Sequence, residues 1–177
     1  MRKSHHQRSK EKRHLKTLEF VKKHLDPSCN ILDLGTPNSL SELLKNNGYT
    51  IQNTKGENLD TQYHSYADNY TDTVTAFEIF EHLLAPFNFL KASKAQKMVA
   101  SVPLKLWFAS AYWHKTDPWD RHYHEFEIKQ FNFLLEQTGW QIKASELWTS
   151  SDWRKIGIRP LLRHFTPRYY IVYCERI

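Results

Sequence analysis

The 177-residue chain is long enough for one domain with a sizeable core, and its 40% hydrophobic and 25% charged content suits a globular protein. No stretch approaches the roughly 20 apolar residues of a membrane span. Cys29 and Cys174 are the only cysteines, which leaves no zinc cluster and, with a charged N-terminus lacking an apolar segment, points to a reducing, cytoplasmic setting without a signal peptide. The formal charge of +6 is segregated: residues 1–23 carry a net +7, residues 24–153 a net −6 and residues 154–177 a net +5. An acidic body with two basic ends can attract nucleic acid or another polyanion, or can present no more than a solvated helix face.

In chain order, residues 1–9, His5 and His6 included, read as a disordered tail. From about Lys10 to Leu25, the residues Leu15, Leu18, Val21 and Leu25 share one helical face, and Asp26-Pro27 ends the helix. This divides the chain into a basic tail and helix, 1–26, and an α/β domain, 27–177. An apolar strand, Ile31–Leu34, runs into Gly35; Ser39 and Glu42 are spaced as a capping box for a helix over Leu40–Asn47, closed by Gly48. Tyr49–Asn53 reads as a second strand, with a short further strand near Tyr63–Tyr66. Thr73–Glu78 is a buried strand, followed by a helix over 81–92 that Pro86 interrupts. Lys97–Val102 is a strand stopped by Pro103, and residues 104–124 are rich in aromatics and histidines. A helix over 125–138 turns Phe126, Ile128, Phe131, Leu134 and Leu135 inward; Trp140–Leu147 is a strand, 148–167 a basic excursion, and Tyr169–Cys174 a final apolar strand. Strand and helix alternate, which predicts a layered α/β fold with a mostly parallel sheet. The strands at 31–34, 73–78 and 97–102 should be adjacent and parallel, and a ligand should sit beyond the strands' carboxyl ends.

A tight Gly35 turn from strand into helix lets a nucleotide-like ligand lie against bare backbone. A full glycine fingerprint would carry glycine at positions 37 and 39 as well, where this chain has Pro37 and Ser39. Pro37 removes an N–H donor, and Ser39 adds a Cβ where backbone and ligand would meet. Asp33 either faces the ligand or caps the turn at 36–39. Glu78, Glu81 and His82 either serve a site or supply acids to a helix N-terminus. Trp107, Phe108, Tyr112, Trp113, Trp119, Tyr123 and Phe126 form either an aromatic pocket or lid, or a flap packed on the core. Asp120, His122 and His124 alternate along an extended segment, but no second cluster supports them, and no metal is expected. Trp153, Arg154, Lys155, Arg159, Arg163 and Arg168 offer an aromatic–basic surface to RNA or an anionic acceptor. Both cysteines read as buried and inert.

Three segments resemble the class I S-adenosylmethionine (SAM) dependent methyltransferases: Ile31-Leu-Asp-Leu-Gly35; Thr73-Val-Thr-Ala-Phe-Glu-Ile-Phe-Glu-His-Leu83; and Val102-Pro103 with His122-Tyr-His-Glu-Phe126 and Gly139-Trp140. Together they span about residues 28–147. The resemblance implies a Rossmann-like three-layer sandwich, a mostly parallel sheet with an antiparallel final strand. It also implies SAM as cofactor, with Asp33 and Gly35 against its methionine half and Phe77 and Glu78 flanking it. The acid that accepts the ribose hydroxyls falls near Asn53 or Thr54, neither acidic, so Glu57 or Asp60 has to reach in. His82 and His122 match the family's histidines and stand as the catalytic candidates. The expected function is methyl transfer to an unidentified acceptor, a small molecule rather than a macromolecule, with weak nucleic-acid binding beside it and no membrane association. The alternative is a non-catalytic methyltransferase-like domain that binds RNA or a protein through its basic ends.

Overall fold

Ile31–Leu34, Thr73–Ala76 and Met98–Val102 are short, mostly apolar or β-branched runs buried at every position, and such strands must be covered on both sides. The computed structural model describes residues 5–67, 71–150 and 157–177. Its strands are β1 (Asn30–Asp33), β2 (Thr50–Asn53), β3 (Thr73–Phe77), β4 (Lys97–Pro103), β5 (Trp140–Thr149) and β6 (Pro167–Arg176), in the sheet order β2-β1-β3-β4-β6-β5. β1 to β4 are parallel, and β6 runs antiparallel to both β4 and β5. The three strands expected to be neighbours are so, with Leu32 opposite Val74 and Val74 opposite Met98. The final strand is the antiparallel one, as expected.

The helices are α1 (His5–His24), α2 (Ser39–Lys45), α3 (His64–Ala67), α4 (Pro86–Ala92), α5 (Ile128–Gln137) and α6 (Ile158–Phe165). On one face of the sheet, Leu32, Val74, Met98 and Val172 pack with Phe89 and Leu90 of α4 and Phe131 and Leu135 of α5. On the other, Ile31, Val99 and Ile171 pack with Phe20 and Val21 of α1 and Leu40 and Leu44 of α2. Trp140, fully buried, donates its indole N–H to the Leu90 carbonyl at 3.0 Å. Arg176 lies 4.4 Å from the centroid of the Trp140 ring and donates to the carbonyls of Leu90, Thr138 and Ser93. One guanidinium thus satisfies carbonyls that the ends of α4 and α5 leave open.

Several local expectations are corrected. α1 begins at His5, so the predicted disordered tail is helical from there. Leu15 is 54% exposed and lines a groove with Ser39 and Leu43, while Leu18, Val21 and Leu25 are buried. The cap of α2 is Asn38 rather than Ser39: its side chain accepts from Leu40 N at 2.8 Å and Ser41 N at 3.2 Å, and Ser41 Oγ accepts from Asn38 N. Tyr63–Tyr66 is not a strand; the Tyr63 carbonyl accepts from the amides of Tyr66 and Ala67, which starts α3. The predicted helix over 81–92 divides into a 3-10 turn, Phe80–His82, and α4. Pro86 at the first turn of α4 forces Ala85 before it out of the helical region. The excursion at 148–167 contains the last two residues of β5 and all of α6.

Candidate functional site

The chain leaves β1 for β2 on one side and returns to β3 on the other, so the switch in strand order falls between β1 and β3. The carboxyl ends meet there through backbone bonds. Leu34 N donates to Thr75 O at 2.8 Å, Thr54 N to Asp33 O at 3.2 Å, and Glu78 N to Ser101 O at 2.8 Å. Gly35 N donates to Thr54 Oγ1 at 2.8 Å. Gly35 has φ 110°, and a Cβ there would lie 3.2 Å from Ile79 Cδ1, so both its conformation and its neighbour call for glycine.

Asp33 lies beneath this turn, 3% exposed. Its carboxylate accepts from Thr75 Oγ1 at 2.7 Å, Asn53 Nδ2 at 2.9 Å and Ser41 Oγ at 3.1 Å. Burial pushes its pKa up to about 6, against the pull of those three donors. Asn53, at the end of β2, also donates to the Gly35 carbonyl and to Ser41 Oγ. Asn53, one of the two residues expected near the ribose position, is therefore turned inward, as a brace under the glycine turn.

Glu57 and Asp60, the other expected ribose acids, lie in the loop after β2. Glu57 accepts from Lys55 N at 2.7 Å, and the Tyr66 hydroxyl holds its carboxyl below the usual range. Asp60 uses both oxygens, accepting from Leu84 N at 3.0 Å and Ala85 N at 2.7 Å. Phe77 and Glu78 end β3. Glu78 has φ 57°, a left-handed conformation costing a non-glycine residue about 1–3 kcal/mol. Its carboxylate meets Arg13 Nε of α1 at 3.0 Å, and Arg13 also donates to the Tyr169 hydroxyl. Burial raises the Glu78 carboxyl while Arg13 opposes the rise.

Just beyond, the 3-10 turn carries Glu81 and His82. The Glu81 carbonyl accepts from Tyr123 N at 2.8 Å and His124 N at 3.2 Å, which pins the 122–124 segment against the turn. His82 and His122 thereby meet edge to face, ring centroids 4.9 Å apart. His82 Nδ1 donates to the Arg121 carbonyl at 3.0 Å, and its Nε2 lies 3.8 Å from Glu81 Oε1. His122 Nδ1 is 3.2 Å from Glu125 Oε1, and Arg168 stands beyond Glu125 at 3.9 Å. Burial, then the neighbouring His82, lowers the His122 pKa. Glu81 is fully buried, and neither of its carboxylate oxygens has a hydrogen-bond partner among the described residues. Burial, then the charge of Glu78, raises its pKa well above the carboxylate range. One potential ligand atom each from Glu81, His82 and His122 lies within 4.8 Å of the others.

The aromatic segment is a hairpin held by pairing of Trp113 with Arg121 and by His122 N on Tyr112 O at 3.0 Å. Its base, Leu104, Leu106 and Phe126, is buried, whereas Trp107, Trp113 and Trp119 are exposed. Asp120 accepts from the Tyr112 hydroxyl, and His124 reaches the Leu84 carbonyl, so the alternating trio of Asp120, His122 and His124 does not converge. Of the basic surface, Arg168 is turned inward to Leu104 O and Glu125; Trp153, Arg154 and Lys155 lie outside the described residues. A separate groove of about 470 Å³ runs between α1 and α2, lined by Lys10, His14, Ser39 and Leu43 among others. Cys29 and Cys174 are free and buried, and burial pushes the Cys174 thiol up to about 12.

Sequence reasoning missed Arg13 and Glu125 as site residues. The spacing of His122 and Glu125, three apart, was a usable signal for the latter. Nothing local to Arg13 marks it as the partner of a residue 65 positions away.

No family model and no curated protein matches the sequence. Solved structures do match. A SAM dependent methyltransferase from Archaeoglobus fulgidus shares 16% identity over 92% of this chain and 94% of its own, with a TM-score of 0.62. A chain from the complex between the Haloferax volcanii Trm112 methyltransferase activator and a protein described as a methyltransferase shares 11% identity over 96% and 92%, with a TM-score of 0.65. The N-terminal domain of EvdMO1 with SAH bound shares 12% identity over 92% and 80%, with a TM-score of 0.53. With the sheet order and the switch point described above, these similarities show that the chain has the class I SAM-dependent methyltransferase fold.

Proposed function

We propose that this chain binds SAM over the carboxyl ends of β1 and β3 and transfers its methyl group to an acceptor approaching from the hairpin side. The observation that carries the reading is the meeting of the Gly35 turn with the strained Phe77-Glu78 junction at the switch point of a methyltransferase fold. Strain of this kind persists where the surroundings over-determine it, commonly at sites. Gly35 backbone takes the methionine half, and Phe77 and Glu78 flank the donor. Asp33 acts from beneath, fixing the turn through Ser41, Thr75 and Asn53. Asp60 has both oxygens on amides, so Glu57 is the better placed to take the ribose hydroxyls. His82 and His122 face the acceptor. Methyl transfer is an in-line displacement at a sulfonium carbon, so the protein's main task is alignment. The acceptor expected from sequence is a small molecule; a protein partner is the other expectation, since one structural neighbour comes from a complex with an activator.

The non-catalytic reading is favoured by Pro37 and by Asn53 in place of an acid. Its basic ends are partly consumed within the fold: Arg13 pairs with Glu78, Lys23 with Glu146 and Arg168 with Glu125. No helix among the described residues is long and apolar enough to cross a membrane. Thermal unfolding with S-adenosylhomocysteine (SAH) separates the readings. Ligand at 100 times its dissociation constant adds about 2.7 kcal/mol. No shift at millimolar SAH would favour the non-catalytic domain.

A further inference from the structure

We propose that Glu81, His82 and His122 form a binding site for one divalent first-row transition-metal ion. Three observations converge. A carboxylate buried from solvent with both oxygens unpartnered among the described residues is expensive unless something positive meets it. The two imidazoles beside it are each engaged at Nδ1, His82 by the Arg121 carbonyl and His122 by the Glu125 carboxylate. Those contacts place the proton on Nδ1 and leave the Nε2 lone pairs as the ligating atoms, an outer-shell arrangement that metal-binding histidines share. Finally, one candidate atom from each of the three residues already lies within 4.8 Å of the others. Ligands of a tetrahedral zinc set stand about 3.3 Å apart, so side-chain adjustments of about an ångström would close the set.

The donor chemistry selects the ion. Two imidazole nitrogens and one carboxylate suit Zn²⁺, Co²⁺, Mn²⁺ or Fe²⁺ better than Mg²⁺ or Ca²⁺, which prefer oxygen throughout. Glu78 lies three residues before Glu81, but its carboxylate is held by Arg13 at 3.0 Å, so the set has three protein ligands. Its remaining positions would be reached from the side of His82, the most exposed of the three side chains. Resting on the methyl-transfer reading, an acceptor hydroxyl would occupy one of them. Its proton would leave to solvent as the metal lowers its pKa, and its oxygen would form the new bond to carbon as the S–CH₃ bond breaks. His82 and His122, expected from sequence as catalytic residues, would then act through the ion, and the sequence expectation of no metal would be revised.

The test is titration of chelator-treated full-length protein with Co²⁺, followed by visible absorption and calorimetry, and repeated with Zn²⁺ and Mn²⁺, each with and without SAH. The expected result is one ion per chain, with cobalt bands characteristic of nitrogen ligation. Glu81→Gln, His82→Gln and His122→Asn should each weaken binding about tenfold or more. His124→Asn, adjacent but bound to the Leu84 carbonyl, should not. Circular dichroism of each variant identifies any that fails to fold. No saturable binding, or binding unchanged in His82→Gln and His122→Asn, overturns the site. Cobalt binding without any response to SAH leaves the metal site standing and removes the methyl-transfer reading.

Discussion

Replacement of Asp33 by Asn should change the pH dependence of stability in a direction the structure dictates. The Asp33 carboxyl has a pKa of about 6 in the fold against an ordinary 3.8, because burial outweighs its three donors. An acid whose folded pKa is raised favours folding most below the unfolded pKa, and that contribution is lost as pH rises through the folded value. A shift of about 2 units corresponds to about 3 kcal/mol, lost between about pH 4 and pH 6. Glu78 and Glu81 shift in the same direction, so wild-type stability alone does not isolate Asp33. The difference between wild type and Asp33→Asn does. Urea unfolding at half-unit steps from pH 4 to pH 7.5 should show the Asn variant improving relative to wild type by about 3 kcal/mol, then levelling. Asp33→Ala, which also lacks the titrating carboxyl, should follow the same slope about 2–4 kcal/mol below Asp33→Asn. It leaves Ser41 Oγ and Thr75 Oγ1 without their acceptor, while Asn53 keeps the Gly35 carbonyl. A flat difference curve for Asp33→Asn, or one of opposite slope, would refute the claim that burial controls this carboxylate.

Gly35→Ala should cost about 1–3 kcal/mol and also abolish SAH binding, because it strains φ 110° and crowds Ile79. Gly48→Ala, at φ 94° with nothing within 4 Å of its Cβ, should cost stability while leaving SAH affinity intact; calorimetry on both variants compares them. Arg176→Ala should lower stability by about 2–4 kcal/mol in urea unfolding, through the lost carbonyl contacts and the lost stacking on Trp140. A loss below about 0.5 kcal/mol would show that water replaces the guanidinium at no cost.

The centre of the sheet was legible because β1, β3 and β4 are short runs buried on both faces, whereas the outer strands β2 and β5 alternate with exposed polar residues. The α2 cap was misread by one residue because Asn38, Ser39 and Ser41 are all capable caps, and only geometry chooses Asn38. Tyr63–Tyr66 looked like a strand from its aromatics. The turn chemistry of Asn58, whose carbonyl accepts from Thr61 and Gln62, sends the chain into a helix instead. At the site, the Gly35 turn and the β3 end were readable as local motifs. The side chains that complete it were not, since they arrive from distant elements: Arg13 from α1, and Glu125 with His122 through a hairpin pinned by the Glu81 carbonyl. The same distance explains why Asp120, His122 and His124 suggested a trio by sequence spacing, while the trio that converges draws on residues forty positions apart.

Amide NMR of the uniformly labelled protein, titrated with SAH, tests the central claim most directly. A cofactor seated at the switch point should perturb Gly35, Thr36, Phe77 and Glu78 together, with saturation at one equivalent, while amides of β5 and α6 stay in place. Absence of perturbation at millimolar SAH, or shifts confined to Lys10, His14 and Leu43 in the α1–α2 groove, would contradict the account.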